Sequence, residues 1–267
     1  MSYTYKHVIL IGIDGAGNYI TRTETPNIDK LFEKGAGTLR CLTSFPSISA
    51  ECWGAMLLGV EPDIHGLTNH IVERGDPYTD DAHPSIFKLI RSDRPDAVLG
   101  AFSNWTPINT GIVEQGLNVD FDTGNDCNIA PRICNYIRER KPEFLFVQFD
   151  NVDGAGHGHG YGSKEYLETI TREDGYVGDI LQAVEDAGIA EDTLVLVTAD
   201  HGGIEYDHGG DTDEEMYVFF VAAGKTVKTG SQPEMRVRDI PSIVAHALGV
   251  TGSVNWQAKL PDGIFEE

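Results

Sequence analysis

Basic residues are scarce in this chain. Its 20 Lys and Arg stand against 42 Asp and Glu, a formal net charge of −22 over 267 residues. Such a field repels phosphate backbones and anionic bilayer surfaces, which excludes a nucleic acid polymer or a membrane surface as the expected partner. Cysteine is scarce as well. Cys41, Cys52, Cys127 and Cys134 form no Cys-x-x-Cys pair, which excludes a disulfide scaffold or a cysteine-built zinc site. Cys127 and Cys134, seven apart, read as packing on one helix face. No signal-peptide pattern precedes the strand near His7, so the expected setting is a reducing cytoplasm. No apolar run approaches the roughly 20 residues that span a bilayer. Repeats, low-complexity tracts and linkers are also lacking. With 40% hydrophobic residues, enough for a substantial core, residues 1–267 are read as one domain.

What the chain does have is three hydrophobic runs that each lead into an acid. HVILIGI precedes Asp14, EFLFVQFDNV precedes Asp153, and TLVLVTA precedes Asp200. Runs so rich in Val, Ile, Leu and Phe, separated by helix-patterned segments, read as buried parallel strands. The expected fold is α/β, a three-layer sandwich with a mostly parallel central sheet. Helices are expected near 49–58, 84–92, 126–140, 163–187 and 240–249, and strands near 97–102, 193–199 and 216–223. A further helix at TPNIDKLFEKG has Thr25 as its cap, Pro26 in its first turn and Gly35 at its end. Residues 69–83 and 103–125 lack periodicity and are expected to shape the substrate's approach.

Parallel strands place their carboxyl ends on one edge of the sheet, and open α/β sheets bind ligands there. Three acids from distant parts of the chain therefore converge. Histidines follow two of them: Asp153-Gly-Ala-Gly-His157 and Asp200-His201-Gly-Gly, with His208-Gly-Gly seven residues later. The small residues between Asp153 and His157 suggest a backbone that turns closely around an ion. Three carboxylates and three imidazoles suit two zinc-like ions with three ligands each, and carboxylate-rich sets also accept manganese or iron. Two such ions about 3.5–4 Å apart clamp the attacking and leaving oxygens of a phosphoryl displacement, which predicts a small-molecule phosphate ester as substrate. Ser49 opens the helix near 50–58 and has two readings. It is either the helix cap, a role Ser47 fits equally, or a nucleophile beside the metal. Asp150 and His159 either orient the ligands or hydrate the loop, and Trp53, Trp105 and Tyr161 offer a stacking face or core packing.

Taken in order, Asp14 after the first strand, TPNIDKL, FPSIS with its GVEPDIHG tail, Asp153-x-x-x-His157, Asp200-His201-Gly and His208-Gly resemble the alkaline phosphatase superfamily. The likeness lies toward its type I phosphodiesterase/nucleotide pyrophosphatase branch and runs from about residue 7 to 224. The resemblance implies an alkaline-phosphatase-like fold in which Asp14, Asp200 and His201 hold one zinc and Asp153, His157 and His208 the other. It implies a phosphoserine intermediate on Ser49, whose oxygen also reaches the first zinc, and it places Asn69 one residue from a phosphate-contacting asparagine. Two departures stand out: Glu51-Cys52-Trp53 replaces a Pro-Asn-His run and alters the expected pocket wall, and His208 comes only seven residues after His201. The sulfatases' Cys-x-Pro-x-Arg run is missing. The expected activity is phosphodiesterase or phosphatase; hydrolysis of phosphonate or sulfate esters, or metal and anion binding without catalysis, are the alternatives.

Overall fold

A computed structural model describes residues 5–266. Its strands β1 (His7–Ile13), β2 (Ala36–Leu42), β3 (Leu99–Ser103), β4 (Asp120–Thr123), β5 (Phe144–Phe149), β6 (Thr193–Thr198) and β7 (Tyr217–Ala223) form one sheet in the order β2-β7-β6-β1-β5-β3-β4. β1 runs parallel to β5 and β6, and β3 runs parallel to β4 and β5. β7 is antiparallel to both its neighbours, β2 and β6. The mostly parallel α/β sheet expected from the sequence is thus the one formed. Its centre is parallel for a physical reason: β1, β5 and β6 carry apolar side chains on both faces, so both faces must be covered by crossover helices.

Those helices are α1 (Pro26–Lys34), α2 (Ser49–Leu58), α3 (Pro62–His65), α4 (Asn69–Val72), α5 (Ile86–Asp93), α6 (Asp126–Arg140), α7 (Asn151–His159), α8 (Lys164–Asp186), α9 (Asp213–Met216) and α10 (Ile240–Leu248). Side-chain alternation along β5 sorts them into layers. Phe144 and Phe146 point to one face, where Phe87 of α5 and Trp53 of α2 meet them at ring-centre distances of 4.8 and 5.6 Å. Phe149 points to the other face and meets Tyr176 of α8 at 5.6 Å. Phe102, in register with Val147, meets Tyr136 of α6 on that same side. Gly12 of β1 lets α2 pack closely here, because a Cβ there would lie 2.2 Å from the Trp53 ring.

The predicted helices at 49–58, 84–92, 126–140, 163–187 and 240–249 are found within two residues of their expected ends, as are the strands at 97–102, 193–199 and 216–223. Three local expectations are corrected. The segment 151–159 is helical, so Asp153 and His157 sit on α7 rather than on a loop wrapped around an ion. The aperiodic stretch 103–125 contains β4, a four-residue edge strand, DFDT, whose charged residues keep the edge from pairing with another chain and erase the apolar signal. Thr25 does not cap α1 through its side chain. Asp174 of α8 holds that helix start instead, accepting hydrogen bonds from Asn27 N at 3.1 Å and Ile28 N at 2.8 Å. Replacing Asp174 with Ala should therefore cost about 1–3 kcal/mol, the penalty of leaving buried donors unpaired. A urea midpoint that does not move would show that the tie carries no stability.

Candidate active site

The central strands β6, β1 and β5 lie side by side with their carboxyl ends on one edge. Asp14 follows β1 directly, and its amide donates to Phe149 O at 2.8 Å, so the end of β1 is tied to the end of β5. Asp200 follows β6 and accepts from Gly15 N at 3.1 Å. The edge gathers two sets of side chains, Asp14 with Asp200 and His201, and Asp153 with His157 and His208, each with its ligand atoms within 4.8 Å of one another. His201 and His208 stack with ring centres 3.9 Å apart, which sets the two triads side by side. All six residues expected to bind metal are therefore brought together.

The hydrogen bonding of the rings fixes which nitrogen faces inward. Nδ1 of His201 lies 2.8 Å from Gly202 O, Nδ1 of His157 2.8 Å from Tyr206 O, and Nδ1 of His208 2.7 Å from Ser47 O. A carbonyl only accepts, so each Nδ1 donates and each Nε2 points to the carboxylates. Nε2 of His201 is 3.3 Å from Asp200 Oδ2 and 3.5 Å from Asp14 Oδ1. Those two oxygens are buried and have no hydrogen-bond donor. Their sister oxygens are satisfied: Asp14 Oδ2 accepts from Trp53 Nε1 and Gln148 Nε2, both at 2.9 Å, and Asp200 Oδ1 accepts the Gly15 amide. Two orphaned anionic oxygens and one imidazole lone pair around one point form a donor set that fits a divalent cation.

The electrostatics agree with this. Burial, followed by repulsion from Asp200, Asp153 and Asp150, raises the Asp14 carboxyl well above its usual range. Burial raises Asp200 to about 8, and burial lowers both His201 and His208. A bound cation would reverse the penalty on the acids. The second triad is more open. Burial acts to raise Asp153, but hydrogen bonding to His157 and the charges of His201 and His208 outweigh it and bring the group to about 2. Its partner His157 is raised to about 9 by the same bond. Tyr161 donates its hydroxyl to Asp153 Oδ1. Gly156 makes room for that ring, since a Cβ there would come 2.5 Å from it.

Ser49 stands at the first position of α2, with its Oγ 3.2 Å from His201 Nε2. The cap reading is corrected for both serines, because α2 has no side-chain hydrogen bond from its cap residue, Ile48. Ser47 instead accepts from Gly209 N and donates to Gly210 O, holding the His208 loop. The amide of Ala50 donates to Asn69 Oδ1 at 2.9 Å, so Asn69 lies beside Ser49 with its carboxamide oriented. Trp53 is four residues from Ser49, on the same face of α2. Trp53 thus lies buried beneath the site, and Glu51 and Cys52 beside it in the sequence are buried as well. Asp150 takes up the orienting role through Gln148 Nε2 at 2.9 Å, while His159 is exposed and belongs to neither triad. Sequence reasoning missed Gln148, hidden as a polar residue in an apolar strand, and Glu215, which accepts from Gly210 N and Thr212 to shape the His208 loop.

A mostly parallel seven-stranded α/β sheet with such an edge defines the alkaline-phosphatase-like fold of the alkaline phosphatase superfamily. Within it the chain belongs to the type I phosphodiesterase / nucleotide pyrophosphatase family, whose model matches residues 8–119 and 76–238. It is 24% identical over 219 residues to an uncharacterised pyrophosphatase/phosphodiesterase of Schizosaccharomyces pombe, covering 73% of this chain and 44% of that protein. It is 33% identical over 127 residues to GPI ethanolamine phosphate transferase 1 of Emericella nidulans, covering 47% of this chain but 13% of that one. The chain thus spans less than half the length of these curated relatives. Among solved structures, murine ectonucleotide pyrophosphatase/phosphodiesterase 5 superposes with a TM-score of 0.78 at 13% identity, covering 95% of this chain and 97% of that one. A 2-O GAG sulfatase gives 0.76 at 14% identity, covering 96% and 73%. At these identities the likeness is one of fold.

If Trp53 orients Asp14, replacing it with Phe keeps the ring on Gly12 but deletes the N–H that Asp14 accepts. Zinc affinity at the first triad should then fall about 10–100-fold. Competition against a chromophoric chelator measures this, and an unchanged affinity in a folded variant would refute the orienting role.

Proposed function

We propose that the chain hydrolyses small phosphate esters, diesters foremost, with Ser49 as nucleophile and with Asp14, Asp200 and His201 holding one divalent ion and Asp153, His157 and His208 a second. The observation that carries this reading is the meeting of the orphaned Asp14 and Asp200 oxygens, His201 Nε2 and the uncapped Ser49 hydroxyl at one point. Divalent ions held there supply positive charge that eases loss of the serine proton and offsets the charge of the phosphoryl oxygens.

The chain's own residues account for the rest of the chemistry. Ser49 Oγ attacks phosphorus as the bond to the leaving oxygen breaks, the leaving alcohol takes up a proton, and a phosphoserine remains. Water then attacks that phosphorus, releasing the phosphate product and returning the serine hydroxyl. The ten-residue helix α2 brings the positive end of its dipole to the phosphoryl group beside Ser49. With its Oδ1 engaged by Ala50 N, Asn69 has Nδ2 left to donate to a phosphoryl oxygen. Zinc suits the histidine-rich donors, and manganese is the principal alternative. Murine ectonucleotide pyrophosphatase/phosphodiesterase 5 was solved as an inactive variant in complex with AMP, which supports a nucleotide-sized substrate for this chain as well. The net charge of −22 disfavours longer nucleic acids.

Two measurements test the reading. Ser49→Ala should lower turnover by on the order of 10⁴- to 10⁶-fold while metal content stays at the native level, and a variant that keeps most of its rate would sink the covalent route. Paired initial rates on p-nitrophenyl phosphate and bis-p-nitrophenyl phosphate, with zinc or manganese loaded, should favour the diester. A faster monoester rate would make the protein a phosphatase, and turnover of sulfate or phosphonate esters alone would overturn the phosphate reading.

A further inference from the structure

Helix α7 carries Asp153 and His157, yet its sequence, NVDGAGHGH, includes Gly154, Gly156 and Gly158. Each glycine costs a helix interior about 1 kcal/mol relative to alanine, so local propensity does not hold these two side chains in place. The N-cap residue, Asp150, offers no side-chain bond to the helix it precedes; its carboxylate is turned to Gln148. A remote carboxylate does the capping. Asp126, at the start of α6 and fully buried, accepts from Asp150 N at 3.0 Å and from Asn151 N at 2.8 Å, and its Oδ1 also accepts from Asn104 Nδ2 at 2.8 Å.

Behind Asp126 stands Glu173 of α8. It is also fully buried, and neither of its oxygens makes a hydrogen bond of normal geometry, the Asn151 side chain being the donor beside it. We infer that the Asp126–Glu173 carboxyl pair is the positioning device of the second triad, fixing the start of α7 and through it the placement of Asp153 and His157. This role rests on the proposed metal reading of that triad.

Two facing carboxyls in a water-free layer coexist when one keeps its proton. Burial and then the neighbouring Asp126 raise Glu173 to about 9. Asp126 is also raised by burial, but the amide donors of Asn151, Asn104 and Asp150 pull it back, so the proton resides on Glu173 and the charge on Asp126. That single anion sits at the positive end of α7. The charged or titratable groups around the pair are Asp150 at the start of α7, Cys127 on α6, and Arg172 and Tyr176 on α8. Only Arg172 among them acts to lower Glu173.

The test uses the full chain with Asp126→Asn and Glu173→Gln. Asp126→Asn sets an amide NH₂ against backbone donors, so amide exchange across residues 151–159 should quicken at least tenfold in metal-free protein. On titration with zinc alone, one of two bound ions should weaken about 10–100-fold while the other binds as in the native protein. Glu173→Gln, which keeps a neutral hydrogen-bond donor, should retain native exchange and both affinities. Glu173's folded-state value lies above its ordinary 4.5, so its contribution to stability is full below about 4.5 and is lost as pH rises through about 9. The melting temperature of the native protein should accordingly fall relative to Glu173→Gln across that window. The inference is overturned if Asp126→Asn leaves α7 exchange and both affinities unchanged, or if the melting-temperature difference does not vary with pH. Native protein that takes up no zinc would sink the metal reading alone, since the exchange and pH series need no metal.

Discussion

Mutual repulsion among carboxylates that water cannot reach is the constraint around which the rest of the structure is arranged. Asp14 and Asp200 are almost completely buried and lie within the field of Asp153 and Asp150. Each of the two has one oxygen satisfied by protein donors and one left bare. That division of labour turns electrostatic strain into selectivity. The satisfied oxygens fix the carboxylate planes, and the bare ones make the point between them favourable only for a cation. The three imidazoles follow the same logic, each held through Nδ1 by a carbonyl and presenting Nε2 inward.

Ser49 belongs to the same arrangement through helix α2. The indole of Trp53, one turn along the helix, lies on Gly12 and donates to Asp14. Docking this helix against the sheet therefore places the Ser49 hydroxyl beside His201 and orients the Asp14 carboxylate in a single packing event. Trp53 is fully buried and meets Phe146 edge-on. A large apolar ring with one polar atom is suited to a position where hydrophobic contact fixes the helix and one N–H reaches the site.

A second recurring device is the helix start capped from elsewhere in the chain. Asp174 does this for α1, Asp126 for α7 and Asn69 for α2. Local caps, as with Ser85 on α5 and Ser163 on α8, stop a helix without placing it. A cap supplied by another element also sets where the helix sits relative to that element, and α2 with Ser49 and α7 with Asp153 and His157 both have one.

The amino-acid sequence by itself determined the parallel core and the edge on which its chemistry gathers. Doubly buried strands need apolar residues throughout, and the acids that follow them are legible because they break that pattern. The order and spacing of the three acids and three histidines were legible there too, while Ser49 stood out only through the family resemblance. Tertiary structure alone decided that Asp153 and His157 ride on a glycine-rich helix, because propensity opposes that helix and a distant carboxylate restores it. It alone showed that Ser49 is not a cap, that Trp53 and Gln148 both donate to Asp14, and that Asp126 accepts the first amides of α7. The reason is common to all of these: a buried polar side chain is explained by the partner it meets, and that partner lies far away in the chain, where no periodicity or spacing records it.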